Sequence, residues 1–390
     1  MNLCMVGQCQ GGNAVLWFEL FNNDLHKYKD IEEFTYICRN ENELTANFKV
    51  EELYGKKKKS GHRYVQKLKK VFHSKVTTRI YFSLVLPKKN FDVIHIQGNY
   101  SPAFNLRIIG NTSAKIVLQI MGSDFYQNYV NKRSGVAERE KFVEVLNKVD
   151  QIVCSRESSK QDLLELFPFI ENKLSVIRLG TSDKWLNLEI SKSNQIADRK
   201  RPKVFLSTRG LYNYNNVDVL VEAFCKTYQH RKDEAVLNII NGYGNDEVTI
   251  KKVRKLVDEY DCQDIVRLII NKWVSEEELM EYYQQADYNF CIGTTDQLSI
   301  SITYGLLTGT TNVLSPLETY FELRDSGYRS LEILKEVTVK ELTNFFENLP
   351  TPNYSLVLAD REQAAKEHIA TENFKKFVNV YKQTQLKSNQ

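Results

Sequence analysis

The segment 294–313, TTDQLSISITYGLLTGTTNV, carries one charged side chain, Asp296, among hydroxyl-bearing and apolar residues. A carboxylate held among neutral polar groups is suited to accept hydrogen bonds from the hydroxyls of a sugar. A simpler role is also open, because Asp296 would cap a helix that begins near Leu298, a contribution of about 1 kcal/mol. One residue can serve both roles, so the segment is a candidate sugar-binding site.

Further candidates follow segments that we predict to be strands. Arg209 ends the apolar run KVFLSTRG, where a fixed cation would suit a diphosphate; the alternative is an ordinary surface arginine. Gly11 and Gly12, in GQCQGG, and Gly242 and Gly244, in NGYGND, each precede a predicted helix. Glycine lets the backbone approach a ligand closely, and a helix N-terminus attracts anions, but any tight turn also uses such glycines.

Short segments rich in Val and Ile alternate with helical patterns along most of the chain. This alternation is typical of α/β proteins, in which helices join buried parallel strands. The predicted strands cover residues 2–7, 34–39, 91–98, 115–122, 151–156 and 174–180 in the first half, and 203–210, 235–244, 264–271, 288–293 and 311–316 in the second. Ligands of such sheets bind at the carboxyl ends of the strands, which is where the candidate residues lie.

The composition changes at residues 187–203, NLEISKSNQIADRKRPK, which are polar and charged and contain a proline near their end. We interpret this segment as a linker between an N-terminal domain, 1–186, and a C-terminal domain, 204–370. The predicted fold class is therefore α/β, with two Rossmann-like doubly wound domains that face each other across a cleft.

The 390 residues are 42% hydrophobic and 26% charged, which is typical of a folded protein with room for two domains. Neither a run of about 18 apolar residues nor a signal-peptide pattern occurs, so we expect a cytoplasmic protein. Seven cysteines are scattered without CxxC spacing, which predicts reduced, buried thiols to which we assign no chemistry.

Positive charge is concentrated in residues 56–75, KKKKSGHRYVQKLKKVFHSK, which contain eight Lys, one Arg and no acidic residue. Tyr64, Leu68 and Phe72 recur there at helical spacing, a pattern that would hold a peripheral protein on the inner face of an anionic membrane at about 1 kcal/mol per basic residue. A solvated surface segment is the alternative. We do not expect nucleic acid as a partner, because no basic and aromatic groove recurs elsewhere.

The run from Asp296 through Tyr304 to Gly309 and TNV resembles the signature of the retaining GT-B glycosyltransferases of family four, the glycosyltransferases group 1. In that family the run reads Glu, seven residues, Glu, and then Ala-x-Ala-x-Gly-x-Pro-Val-Val. Other segments resemble family landmarks in the same order: 117–125, 174–185, 207–224, NIINGYG and 269–293. The resemblance covers most of the chain and is stronger in the second half.

The resemblance implies a role for each matching residue. Arg209 would offset the negative charge that grows on the diphosphate leaving group, and Asp296 would accept hydrogen bonds from the donor sugar. The other donor contacts that it implies are backbone N–H groups at Leu298, Ser299 and Ile300, a nucleobase loop at Lys272, Trp273 and Val274, and close backbone approach at Gly11, Gly12, Gly242 and Gly244.

The chain departs from the family pattern in three places. Tyr304 stands where the family has a Glu that holds the ribose, and losing that charge-assisted hydrogen bond costs about 1.5 to 3 kcal/mol unless the phenol substitutes. Asn215 and Asn216 replace a Lys-Gly pair, and Met121 replaces a His. Asp124 would then be the polar group nearest the acceptor, or only a cap for the helix that follows it.

The implied activity is transfer of a sugar, with retention, from a nucleotide-diphosphate donor to a surface glycan or a lipid-linked acceptor. We expect no metal or other cofactor, because an arginine and helix N-termini supply the positive charge. The alternative is a catalytically degenerate relative that acts as a binding or partner subunit, in which these departures mark lost donor handling. By resemblance, the C-terminal helix, 371–390, packs back on the first domain.

Overall fold

The computed structural model describes residues 1–8, 12–38, 46–53, 81–178, 180–188, 201–241, 246–272, 274–296 and 298–386. The chain divides into two compact units. The first comprises Met1–Leu179 together with Ala370–Gln390, and the second comprises Gly180–Ile369.

The first unit contains a parallel sheet and the helices that connect its strands. The strands are β1 (Asn2–Gly7), β2 (Glu33–Cys38), β3 (Lys49–Glu52), β4 (Val93–Gln97), β5 (Lys115–Gln119), β6 (Gln151–Cys154) and β7 (Leu174–Val176). The helices are α1 (Gly12–Asp24), α2 (Pro102–Ile109), α3 (Ser123–Phe125), α4 (Val136–Lys148) and α5 (Glu157–Leu166). The strands pair in the order β3-β2-β1-β4-β5-β6-β7.

Alternate side chains of β1 enter two different apolar clusters. Leu3 and Met5 belong to one cluster, whereas Cys4 and Val6 belong to the other. Because successive side chains of a strand point to opposite faces, both faces of the sheet are covered. This is why β1 has a continuous apolar sequence.

The second unit repeats this architecture. Its strands are β8 (Lys203–Ser207), β9 (Ala235–Asn241), β10 (Val266–Ile270), β11 (Tyr288–Cys291), β12 (Thr311–Leu314) and β13 (Leu331–Ile333), in the order β10-β9-β8-β11-β12-β13. Its helices are α6 (Asp183–Leu186), α7 (Val217–Tyr228), α8 (Glu247–Glu259), α9 (Glu276–Gln285), α10 (Ile300–Thr308), α11 (Glu318–Asp325), α12 (Val339–Glu347) and α13 (Tyr354–Glu367).

Each sheet changes its winding direction at one place. The chain moves outwards from β1 to β3, and from β8 to β10, and then returns to the other side of the first strand at β4 and at β11. Connections on the two sides of such a switch point diverge, which leaves room for a ligand at the carboxyl ends of the two central strands. In the second unit, these are the ends of β8 and β11.

The first unit ends at Leu179 and the second begins at Gly180, so both bounds differ from the predicted domains 1–186 and 204–370. Helix α6 lies in the part of the chain that we assigned to the first domain, yet it belongs to the second unit. The reason is Trp185, a fully buried side chain whose ring packs on Tyr283 and Tyr304. Of the predicted linker, residues 189–200 lie outside the described residues, as does the whole basic segment 56–75.

Helix α14 (Ala370–Leu386) belongs to the first unit although it follows the second in the chain. Phe374 and Phe377 on this helix meet the ring of Trp17 edge to face, at centroid distances of 5.8 and 5.5 Å. Burial of these large rings holds the helix in place, because each removes an extensive apolar surface from water. Within the described part of the chain, none of the helices combines the length and the apolar character needed to cross a bilayer.

One cysteine differs from the expectation of reduced thiols throughout. Cys4, Cys154, Cys225, Cys262 and Cys291 are free and buried, as predicted, and burial raises the pKa of the Cys154 and Cys291 thiols to about 12. Cys38, at the end of β2, is instead disulfide-bonded. Disulfide formation depends on the distance between two Cα atoms, which the spacing of cysteines along a chain does not reveal.

Candidate functional site

Arg209 and Asp296 come together at the switch point of the second sheet. Arg209 lies just beyond the end of β8 and Asp296 follows β11, and these two strands are paired neighbours. The guanidinium Nη2 lies 3.7 Å from the carboxylate Oδ2, and the two side chains are 19% and 8% exposed. The sequence predicted both residues from their separate strand ends, and the structure brings them into one ion pair.

Tyr320, which was not a candidate from the sequence, is hydrogen-bonded to the carboxylate of this pair. It lies on α11, is almost fully buried, and its O–H donates a 2.7 Å hydrogen bond to Oδ2 of Asp296. Burial and the charge of Asp296 raise the pKa of the Tyr320 phenol well above its usual range, so the phenol keeps its proton. A neutral, immobile donor therefore fixes the orientation of the Asp296 carboxylate.

The N-terminus of α10 follows Asp296 by four positions in the chain. Leu298 has a left-handed backbone, with φ of +64°, and turns the chain so that Ser299 immediately precedes the helix. Within the described residues, the Ser299 side chain makes no capping hydrogen bond to this helix. The first N–H groups of α10, beginning at Ile300, thus form an electropositive helix end beside the Arg209–Asp296 pair.

A hydrogen-bond chain joins the end of β8 to the first turn of α10. The Thr208 hydroxyl lies 2.8 Å from the Tyr283 hydroxyl and 2.7 Å from the Ser301 hydroxyl. Thr208 precedes Arg209 in the chain, and Ser301 is in the first turn of α10. This contact therefore links the end of β8, next to Arg209, to the N-terminus of α10.

Two buried asparagines hold α10 against the sheet. Asn289 on β11 and Asn312 on β12 are register neighbours, and Nδ2 of Asn289 donates to Oδ1 of Asn312 at 2.7 Å and to the carbonyl of Ser301 at 3.1 Å. Nδ2 of Asn312 donates to the carbonyl of Ile302 at 3.3 Å. Gly305 makes room for this pair, because a Cβ there would collide with the Asn312 amide. The first turn of α10 is thus hydrogen-bonded to both β11 and β12.

We expect Thr208→Val to lower the free energy of unfolding by about 1 to 3 kcal/mol. Valine has nearly the same shape, but it removes both hydroxyl contacts, each worth about 0.5 to 1.5 kcal/mol. The matched control is Thr227→Val, since the Thr227 hydroxyl only donates to the carbonyl of Ala223 in its own helix, at 2.8 Å. Urea unfolding of both variants measures the effect. Equal losses of stability in both variants would show that Thr208 contributes no more than a single hydroxyl contact.

No protein-family model matches the chain, and no curated protein does either. Solved structures do match. A sucrose-phosphate synthase from Thermosynechococcus elongatus is 13% identical, with a TM-score of 0.76 and 98% of each chain covered. Anabaena HepE, in complex with UDP and glucose, is 12% identical, with a TM-score of 0.70 and coverage of 97% of this chain and 98% of that one. A UDP-forming trehalose-phosphate synthase from Burkholderia xenovorans is 12% identical, with a TM-score of 0.65 and coverage of 98% and 99%.

The chain has the GT-B glycosyltransferase fold. The predicted α/β class, built from two Rossmann-like sheets, is confirmed. The resemblance to GT-B enzymes, first noted from the run that begins at Asp296, therefore agrees with the whole fold.

In this GT-B protein the Tyr304 ring is a packing element. It stacks on Trp185 with ring centroids 3.6 Å apart and an interplanar angle of 12°, and it meets Tyr283 edge to face. Only 8% of Tyr304 is exposed. Any contact between Tyr304 and a donor would therefore involve only a small part of its side chain, and the donor-binding role stays a prediction.

The other predicted donor contacts are placed only in part. Val274 is half-buried against the second unit's core and Lys272 is exposed, whereas Trp273 lies outside the described residues. Gly11, Gly242 and Gly244 also lie outside them, and Gly12 begins α1. The proposed nucleobase and glycine-loop contacts therefore remain predictions from the sequence.

Asp124, in the first unit of the GT-B chain, is fully buried beneath the loops that follow β4 and β5. Its Oδ2 accepts the backbone N–H of Asn99 at 2.6 Å, and its Oδ1 accepts those of Met121 and Phe125 at 3.0 and 3.1 Å. These bonds tie two strand-end loops together, so the geometry supports a positioning role. Its place beside an acceptor remains a prediction.

The stability of the first unit should depend on pH through Asp124. Burial raises the pKa of this carboxyl to about 6, against the opposing effect of the N–H groups. Because the folded protein then binds a proton more tightly than the unfolded chain, the free energy of unfolding falls as pH rises from about 4 to about 6, by about 3 kcal/mol. Urea unfolding at several pH values measures this fall, which Asp124→Asn should remove. A pH dependence equal in both proteins would contradict the assignment.

Proposed function

We propose that the protein is a glycosyltransferase that moves a sugar from a nucleotide-diphosphate donor, with retention of configuration, to a surface glycan or a lipid-linked acceptor. The observation that carries the proposal is the Arg209–Asp296 pair at the switch point of the second sheet, beside the N-terminus of α10. The fold supports it, because Anabaena HepE, a GT-B structure of the same architecture, is in complex with UDP and glucose.

The proposed chemistry follows from the charges at this point. As the bond between the sugar and the diphosphate breaks, negative charge grows on the leaving phosphate oxygens. Arg209 and the N–H groups of Leu298, Ser299 and Ile300 offset that charge, and they do so without reorganising, because Thr208 and the two asparagines hold them. Asp296, oriented by Tyr320, accepts hydrogen bonds from hydroxyls of the transferred sugar.

We propose that this step needs no metal ion, because the arginine and the helix end already provide positive charge against the diphosphate. We also propose that the basic segment 56–75 holds the enzyme on an anionic membrane, where a lipid-linked acceptor would lie. Both proposals are separate from the donor site: loss of activity with EDTA would contradict the first, and failure to bind phosphatidylserine vesicles would contradict the second.

The test of the proposed function is a thermal-shift panel of UDP-, GDP-, ADP- and dTDP-sugars, followed by NMR of the product of any donor that binds. A ligand present at 100 times its dissociation constant stabilises the folded state by about 2.7 kcal/mol, a shift that is readily measured. We expect at least one nucleotide sugar to bind and to be consumed, with the anomeric configuration retained. If none binds and the protein instead forms a tight complex with another protein, the chain is a degenerate relative that acts as a partner subunit.

A further inference from the structure

The loop between β8 and α7, residues 210–216, displays two aromatic rings. Tyr212 and Tyr214 stack on each other with centroids 5.1 Å apart and an interplanar angle of 9°. Both side chains are partly exposed, whereas Leu211 beside them is fully buried in the core of the second unit. The loop therefore buries its leucine completely and leaves part of each tyrosine side chain accessible.

The loop that carries these rings is rigid. The backbone N–H of Tyr212 donates to the carbonyl of Gly210 at 2.8 Å, and Nδ2 of Asn215 donates to the same carbonyl at 2.7 Å. Asn216 has a left-handed backbone, with φ of +54°, and its Nδ2 donates to the carbonyl of Ile292 at 2.8 Å. Asn is one of the few residues other than glycine that adopt this conformation readily, and these hydrogen bonds hold the loop in one arrangement, so the tyrosine pair is preorganised.

The tyrosine pair is attached to the loop that leads to Asp296. The N–H of Thr294 donates to the carbonyl of Tyr214 at 2.8 Å, and Thr294 lies two residues before Asp296. A Cβ at Gly293 would come within 3.3 Å of the same carbonyl, so the two loops are in close contact there. The loop that carries the rings begins at the residue after Arg209 and is therefore hydrogen-bonded to the segment that leads to Asp296.

The side chains of this loop are all neutral: Leu211, Tyr212, Asn213, Tyr214, Asn215 and Asn216. A neutral aromatic surface does not suit a phosphate, but it suits the apolar C–H face of a pyranose, since polarised C–H groups are attracted to the negative face of a ring. A glycan acceptor has further sugar rings beside the one that carries its reacting hydroxyl, and such a ring can stack on this surface.

We propose that Tyr212 and Tyr214 form a stacking subsite for a neutral pyranose ring of the acceptor glycan. The inference deepens the proposed function and rests on it, because it names the acceptor as a glycan with a neutral sugar next to the reacting hydroxyl. It also assigns the second unit, which carries the donor site, a share in holding the acceptor.

The experiment compares the binding of neutral trisaccharides by saturation-transfer NMR and calorimetry, using maltotriose, cellotriose, mannotriose and chitotriose in the presence of saturating UDP. We expect at least one to bind the wild type and to bind Tyr214→Leu and Tyr212→Leu about tenfold more weakly, because leucine removes the aromatic face. Tyr214→Phe should retain the affinity within about twofold. The matched control is Tyr354→Leu, a partly exposed tyrosine at the start of α13.

Three outcomes would overturn the proposal: no trisaccharide binds, the leucine variants bind as well as the wild type, or they lose UDP rather than the trisaccharide, which would make the rings a nucleobase platform. In the first two cases the proposed function survives if a nucleotide sugar still binds and is consumed. Failure of the proposed function is different, because no nucleotide would then bind the wild type. Melting temperatures of all variants identify any loss of binding that is caused by unfolding.

Discussion

Arg209→Ala should lower kcat/KM for the nucleotide sugar about 100- to 1000-fold and weaken the binding of the nucleoside diphosphate about 10- to 100-fold. Removing a fixed donor that stabilises a developing anion costs about 2.7 to 4 kcal/mol in the transition state, and hydrogen bonds to a charged group contribute about 1.5 to 3 kcal/mol in the ground state. The loss is therefore expected to be larger in kcat/KM than in affinity. Steady-state kinetics and calorimetry on the same variant separate the two effects.

Two further arginine variants make this result specific. Arg267→Ala removes an exposed arginine from β10 of the same unit and should change neither quantity beyond about twofold. Arg209→Lys keeps the charge but loses the planar pair of donors, so we expect an intermediate loss. Nucleotide affinity that is unchanged in Arg209→Ala, with the protein folded, would remove the basis of the proposed donor site.

The site residues that the sequence could predict are those that follow apolar strands. Arg209 and Asp296 each follow a buried apolar strand, and the carboxyl ends of parallel strands meet at one edge of a sheet. That argument works on one strand at a time and does not need to know which strands are neighbours. The pairing of β8 with β11 then brings the two residues together.

The residues that orient this pair could not be predicted, because their roles depend on contacts between distant segments. Tyr320 lies 24 positions after Asp296 on a helix of ordinary composition, and Thr208 meets Ser301 across 93 positions. In the sequence, Asn289 and Asn312 are simply polar residues within otherwise apolar strands. Their function appears only when the register of β11 and β12 places them side by side beneath α10.

The sequence did not predict strands β3 and β13, because the apolar periodicity of both segments is weak. Strand β3, Lys49–Glu52, is short, charged and at the edge of its sheet, and β13 covers only Leu331–Ile333. Neither provides the apolar run that marks a buried strand. The first unit ends at Leu179 rather than at 186. Trp185 ends the segment 174–185, which resembles a family landmark of the first half, but its ring packs on two tyrosines of the second unit.

Two substitutions of Asp296 distinguish the role of its negative charge from the role of its hydrogen bond to Tyr320. Asp296→Asn keeps an oxygen that can accept the Tyr320 hydrogen bond but removes the negative charge beside Arg209 and weakens the acceptor for sugar hydroxyls. Asp296→Ala also leaves the buried Tyr320 hydroxyl without this acceptor, at a cost of about 1 to 3 kcal/mol in the free energy of unfolding. We therefore expect both variants to lose about 100-fold in kcat/KM, while only the alanine variant loses stability in urea unfolding.

Tyr320→Phe and the double variant Arg209→Ala with Asp296→Ala decide whether these residues act as a unit. The phenylalanine variant keeps the ring but frees the carboxylate to reorient, so its loss in kcat/KM should be smaller, about three- to tenfold, with KM for the donor changing more than kcat. Because the guanidinium and the carboxylate lie 3.7 Å apart and serve one bound sugar diphosphate, the double variant should be less impaired than the product of the two single losses. Strictly multiplicative losses would mean that Arg209 and Asp296 work at separate sites, and wild-type activity in Asp296→Asn would leave that residue with only the structural bond to Tyr320.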